Sequence, residues 1–156
     1  QNLKISIMES LWNKNYQAVL LSRIEQLSEK SPRKWGKMDA AQMLEHMNIA
    51  FKNAIDEVKV TKHPLSLLVS LKPIRKLLIF GMPFQKNLIT AKEYMIESPQ
   101  NFEKNKADFI KTFEKITLKA NENTFSSHPI FGKLTYNEWG ALLSKHLDHH
   151  LKQFGV

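Results

Sequence analysis

The 156-residue chain contains no cysteine. That absence excludes disulfides, thiolate zinc sites, iron–sulfur clusters and cysteine nucleophiles together, so any metal must be held by imidazole or carboxylate. Long apolar runs are missing as well. The longest, Leu77 to Phe84, is flanked by Arg75 and Lys76 on one side and Gln85 and Lys86 on the other, whereas a membrane-spanning helix needs ~20 residues. Acids are scarce relative to bases, 15 against 23, which gives a formal charge of +8. The cations form no dense basic block with interleaved aromatics: Lys30, Arg33, Lys34 and Lys37, then Lys72, Arg75 and Lys76, then Lys104, Lys106 and Lys111 are spread along the chain. The charge therefore reads as a solvated basic surface and not as a specific nucleic-acid face. A binder driven by charge alone would betray itself by steep weakening with salt.

Internal repeats, low-complexity tracts and dividing linkers are also absent. With 42% hydrophobic and 24% charged residues, the composition is that of a folding chain and not of a disordered one. One domain spanning 1–156 is expected, since a chain of this size can bury ~70% of the surface it exposes unfolded. The residues after Gln1 show no charged region, apolar core and small-residue cleavage site. Because the chain opens at Gln1 and not methionine, a removed segment stays open, and the expected location is the cytoplasm.

What is present is helical periodicity nearly throughout. The spacing of Tyr16, Val19, Leu20, Ile24 and Leu27 predicts a helix over 13–29, stopped by Ser31 and Pro32. A second helix starts at Asp39 as N-cap with Gln42 closing a capping box and Met38 as a hydrophobic staple. It is expected to run to Val58, with Met43, Met47, Ala50, Phe51, Ala54 and Val58 as its apolar stripe and His46 inside that stripe. Pro64, Pro73, Gly81 and Pro83 break 63–84 into one or two short helices. There Lys72, Arg75 and Lys76 beside Leu77, Leu78 and Ile79 suit a bundle element or, as an alternative, a membrane-surface helix. Residues 85–100 read as a long connection, 101–121 as a third long helix and 121–133 as a loop. Thr135 and Glu138 form a second capping box, opening a terminal helix that ends near Phe154 with Gly155 beyond it. Four long helices around one core, with a long crossover and short extra helices in the middle, make an all-α bundle the expected architecture.

Three of the six histidines lie in the run His146-Leu-Asp-His149-His150. His146 and His150 are one helical turn apart, so they stack on one face with Trp139, Leu142 and Leu143, while Asp148 is expected to point outward. His149, three residues from His146, is not dismissed by spacing. His46 on the second helix supplies a third imidazole. Each alone is more often a core residue than a ligand, but three neutral imidazoles together suit zinc, nickel, iron or copper, with zinc or nickel the first expectation. Three protein ligands leave a coordination position for water or substrate. Gln42, Gln153 and His149 are the candidates for orienting the ligands, ahead of Glu45 and Asp148, which are placed on the outer face. Trp35, Trp139 and Phe131 read as core, and His128 before Pro129 as a turn residue.

Three separated motifs carry a resemblance. They are Trp35-Gly-Lys-Met-Asp-Ala-Ala-Gln-Met-Leu-Glu-His46, His128-Pro-Ile-Phe-Gly132, and the ending Trp139-Gly140 through His146-Leu-Asp-His-His150-Leu-Lys-Gln-Phe-Gly155. Together they look like the DinB-like superfamily, most closely its uncharacterised DUF1569 branch. The resemblance implies a four-helix bundle holding a divalent metal through His46, His146 and His150. Some members of that superfamily are thiol S-transferases using low-molecular-weight thiols such as mycothiol or bacillithiol, and others are thiol-dependent maleylpyruvate isomerases.

Two classes of function follow. In the first, an open three-histidine metal supports thiol transfer or hydrolysis on a small-molecule substrate, with a low-molecular-weight thiol as partner. In the second, the bundle binds metal or a small ligand without turnover. A homodimer through the exposed faces is left open. Since free imidazole has a pKa of ~6.5, metal affinity is expected to fall below about pH 6.

Overall fold

The computed structural model describes residues 9–88, 90–121 and 125–156. Among them are six α-helices and no strand: α1 (Lys14–Gln26), α2 (Ala40–Ala54), α3 (Ser66–Val69), α4 (Lys72–Lys76), α5 (Phe102–Lys119) and α6 (Tyr136–Gln153). A π-helical turn at Leu77–Gly81 continues α4, and a 3-10 turn at Lys92–Tyr94 interrupts the long connection. The all-α expectation holds. Residues 122–124 of the expected 121–133 loop lie outside the described residues.

The capping chemistry read from the sequence sets the helix starts. Asn13 Oδ1 accepts from the backbone N–H groups of Asn15 and Tyr16. Both capping boxes close reciprocally, Asp39 with Gln42 and Thr135 with Glu138, satisfying donors that helix geometry leaves unpaired. The ends of α1 and α2 depart from the periodicity, each time because a distant residue takes the last carbonyls. α1 stops at Gln26 and not near residue 29: Leu27 turns extended into the core, 3% exposed, and Lys106 Nζ caps the carbonyls of Glu25 and Leu27. Val19, expected on the buried face, is exposed. α2 stops at Ala54 and does not reach Val58, because Ser126 takes the carbonyls of Asn53 and Ala54. Asp56 then turns the chain with φ +64°, and Asn53 Nδ2 captures Val58 O.

The four long helices share one cluster of buried apolar side chains. α2 packs most extensively on α5, and α1 touches both α5 and α6, which also meets α2. At the α2–α5 contact Phe51 lies edge-on to Phe109 at 5.1 Å, with Phe113 completing the aromatic group. Each such ring contributes about 1.5–3 kcal/mol through burial. Two buried polar pairs fix the register between these helices: Thr112 Oγ1 donates to Asn48 Oδ1, and Asn105 Nδ2 donates to Ala41 O. Non-directional apolar contact alone would let the helices slide.

The middle segment is pinned to α6 by an ion pair, Arg75 Nε to Glu138 Oε1 at 3.1 Å, with side chains 14% and 4% exposed. Glu138 thereby serves the capping box and the pair together, its carboxyl held below the usual range by Thr135 and Arg75 in spite of burial. Two residues further along α6, Gly140 must be glycine, since a Cβ there would overlap the Trp12 indole and Ser10.

His128 occupies the turn expected of it, bridged to Gly132. Its Nδ1 accepts from the backbone N–H groups of Ile130 and Phe131, and burial pushes its pKa down to about 3. The folded pKa lies below the unfolded ~6.5. The unfolded chain therefore takes up the proton first, and the stability from neutral His128 is complete above ~6.5 and lost as pH falls toward about 3. His128→Ala is expected to cost about 1–3 kcal/mol at neutral pH, the penalty for two orphaned N–H groups, and to make the acid loss of stability shallower. Urea unfolding at a series of pH values measures both, and an unchanged midpoint would show that the turn does not depend on this imidazole.

Candidate metal centre

α2 and α6 meet with three imidazoles between them. His46 sits in the buried stripe of α2, and His146 and His150 stand one turn apart on α6. The ring centroids form a near-equilateral triangle, His46–His146 5.0 Å, His46–His150 4.7 Å and His146–His150 4.9 Å. One nitrogen from each ring lies within 4.8 Å of the others, an arrangement that can hold a metal ion. For comparison, nitrogens sharing a tetrahedral ion at about 2.0–2.1 Å stand about 3.3 Å apart.

The hydrogen bonds decide which nitrogens face inward. His46 Nδ1 lies 2.8 Å from the carbonyl of Tyr94, an obligate acceptor, so Nδ1 carries the proton and Nε2 is a bare lone pair. His150 Nδ1 lies 2.8 Å from Gln153 Oε1. Gln153 is itself oriented because its Nε2 donates to Trp35 O, so His150 likewise carries Nδ1–H and a bare Nε2. His46 Nε2 and His146 Nε2 are 2.9 Å apart, and with no proton on the His46 side it is His146 Nε2–H that donates. His150 Nε2 accepts no hydrogen bond among the described residues. Two inward lone pairs, each fixed by an acceptor behind the ring, with only one proton to share, make a donor set that fits a cation.

Burial keeps all three rings neutral. Desolvation lowers His46 and His150, the latter to about 3. Desolvation also puts His146 well below the usual imidazole range, reinforced by His150 and His46. His46 and His150 are buried, while His146 is partly exposed, so the approach to the cluster lies on the His146 side. The rim there is aromatic and cationic. Phe84 packs on His146 and His149 at 5.9 and 6.0 Å, Trp35 meets His149 edge-on at 5.6 Å, and Lys86 Nζ lies over Trp35 at 4.5 Å. Lys145, one residue before His146, is 3% exposed. Its ammonium donates to the carbonyls of Leu78, Ile79 and Met82 and lies over Phe84, and desolvation pushes its pKa down to about 8.

The candidates named from sequence separate here. His46, His146 and His150 come together, and Gln153 orients His150 as described. Gln42 is engaged at the start of α2, its Oε1 accepting from Asp39 N and its Nε2 donating to Ser98 O. His149 stands on the rim with no inward nitrogen in the cluster. Asp148 does not point outward as expected. It is 8% exposed and paired with Arg23 and Lys152 at 2.8 and 2.7 Å, because α1 lies against that face of α6. Glu45 is half-buried near Lys104. Trp139 and Phe131 are core residues, whereas Trp35 is half-buried at the rim. Tyr94, Phe84 and Lys145 were not singled out from sequence. Tyr94 acts through a backbone carbonyl, which leaves no residue signature, and Phe84 reaches the site only through the path of the connection. Lys145 had a signal in its position immediately before His146 on a largely buried helix.

The family model described as protein of unknown function (DUF1569) matches residues 8–155, and the chain belongs to that family. Comparison with curated proteins and with solved structures gives no match.

Gln153→Leu removes the acceptor behind His150 while keeping the volume. Zinc affinity, measured by competition with a chromophoric chelator, is expected to fall about 10–100-fold and to be largely retained in Gln153→Glu. Equal affinity in the wild type and the leucine variant would rule out this orienting role.

Proposed function

We propose that this chain is a single-domain member of the DinB-like four-helix bundles. It binds a divalent metal, zinc or nickel, through His46, His146 and His150, and acts on a small molecule as a thiol S-transferase or hydrolase. The observation that carries the reading is the pair of Nδ1–H locks, Tyr94 O behind His46 and Gln153 Oε1 behind His150, which leave two rings of the cluster each with a bare Nε2. When bound, such an ion supplies a Lewis-acid position that lowers the pKa of a thiol or of water. The protein's part is to keep three imidazoles neutral, to leave access beside His146, and to hold a proton acceptor close by. His149 suits that last role. It is half-buried, its pKa is lowered chiefly by desolvation and further by Lys152 and Lys86 despite the opposing Asp148, and it makes no hydrogen bond among the described residues. A thiol or water proton can therefore pass to its free nitrogen.

One observation favours a second reading, a binding protein without turnover. The nearest carboxylate on this stretch of α6, Asp148, is engaged by Arg23 and Lys152, so His149 is the sole candidate base from that helix.

The test is metal content by elemental analysis of untagged protein purified without added metal, beside His46→Ala and His150→Ala. About one equivalent, lost in both variants, is expected. Protein that takes up no zinc or nickel on titration, or variants that bind as the wild type does, would refute the site. Activity toward thiols with electrophiles, and toward hydrolysable esters and amides, then separates the two readings, with His149→Ala expected to lower turnover while retaining metal.

The acid behaviour differs from that of free imidazole. Because desolvation holds His150 neutral down to about 3 and lowers His46 in the same direction, protons compete with the metal only well below ~6.5. The onset of metal loss is therefore expected below the pH of about 6 read from free histidine. Occupancy is expected to survive dialysis at about pH 5 while the fold persists. Loss along a curve centred on ~6.5, with the helical circular dichroism unchanged, would contradict the burial argument.

A further inference from the structure

Eleven large hydrophobic side chains are exposed among the described residues, and eight of them fall between residues 65 and 88. Leu67 is 82% exposed, Phe80 58%, and Leu65, Leu68, Leu71 and Leu77 each exceed half. They occupy α3, the α3–α4 junction and the π turn, which pack on one another in sequence. The exposure is built into the segment. Its inner side is fastened by Arg75 to Glu138, by the backbone bond from His63 N to Pro129 O, by Lys145 to three carbonyls, and by buried Ser66 and Ile79. With that side held, the leucines have only the solvent face left. A patch that gathers eight of the eleven exposed large hydrophobics into one segment marks an interaction surface.

Its charge identifies the partner. From Val58 to Lys92 there is no aspartate or glutamate in 35 residues, and seven are lysine or arginine. Of these, Lys62, Lys72 and Lys76 are exposed and enter no ion pair or hydrogen bond among the described residues. Lys72 and Lys76 stand one turn apart on α4, between Leu71 and Leu77. We propose that this face docks on an anionic lipid bilayer, its leucines and Phe80 entering the headgroup boundary and Lys62, Lys72 and Lys76 meeting lipid phosphates and carboxylates. The chemistry is that of an interfacial surface, exposed apolar side chains interspersed with cations whose aliphatic stems can lie along the boundary. A second copy of the chain fits less well. A two-fold contact brings the patch against itself, and the stretch holds no acid to pair with the opposing lysines. Among the described residues no helix is long and apolar enough to cross a membrane, so the proposed contact is with the surface.

The test is flotation of the full chain with vesicles of phosphatidylcholine alone and of phosphatidylcholine with about one third phosphatidylserine. Binding to the anionic vesicles and little to the neutral ones is expected. K72Q/K76Q is expected to weaken that binding about thirtyfold, and L67Q/F80Q about tenfold or more. These side chains are exposed, so circular dichroism and melting should be unchanged. L118Q, at a position on α5 that is 83% exposed and outside the patch, should bind as the wild type does. Absence from both vesicle populations would overturn the proposal, as would anionic binding indifferent to both double variants. A dimer in solution that L67Q/F80Q dissociates, with no flotation, would overturn it in favour of a second copy. A monomer that does not float would overturn it as well.

Discussion

Burying an imidazole is inexpensive only while it stays neutral and its N–H finds an acceptor. In this chain that constraint acts three times at one point, between α2 and α6, and much of the irregular structure exists to meet it. The acceptor for His46 is the carbonyl of Tyr94, delivered by the 3-10 turn in the long connection. Tyr94 is held in turn through its hydroxyl to Asn53 at the end of α2. The acceptor for His150 is Gln153, held by the Trp35 carbonyl from the segment before α2. Two stretches without regular α-helix thus end on the same cluster. Without them the rings would be free to take the other tautomer, and the inward lone pairs that define the site would not be specified.

The strong positive charge is organised by the same economy. Four buried or half-buried cations each have a definite partner: Arg23 on Asp148 and the carbonyl of Val156, Arg75 on Glu138, Lys145 on three carbonyls, Lys106 on the end of α1. A charge left alone in such places would cost several kcal/mol. Exposed pairs such as Lys59 with Asp56 and Lys104 with Asp108 contribute little by comparison. Electrostatics here joins elements that are distant in sequence, and the apolar cluster supplies the driving force.

The difference between what was legible in the sequence and what was not follows the range of the interactions. Helix starts were legible because capping is local: Asp39 with Gln42 and Thr135 with Glu138 act over three residues, and the chain obeys them. Helix ends were not, because the carbonyls of Leu27 and Ala54 are claimed by Lys106 and Ser126, which are far away in sequence. The histidine triad was legible because a turn of helix places His146 over His150 and a buried stripe carries His46. Asp148 was misread for the complementary reason. Helical spacing shows which residues share a face, but not that α1 covers the face opposite the histidines and brings Arg23 with it. Gln42 had the right residue type but its hydrogen bonds were already committed to the cap.

α6 is where these threads join. Within nine residues it presents Lys145 to the middle segment, His146 and His150 to His46, Asp148 to α1 and Gln153 to the loop before α2. Each contact fixes the rotation of the helix about its axis, and together they over-determine it. A turn of the helix that improved one would break the others. Phe84 then rests on both Lys145 and His146, so the path of the middle segment is coupled mechanically to the open side of the site. The inner side of that segment and the imidazoles are thus joined by three carbonyls and one aromatic ring, because Lys145 and His146 are neighbours on a single helical turn.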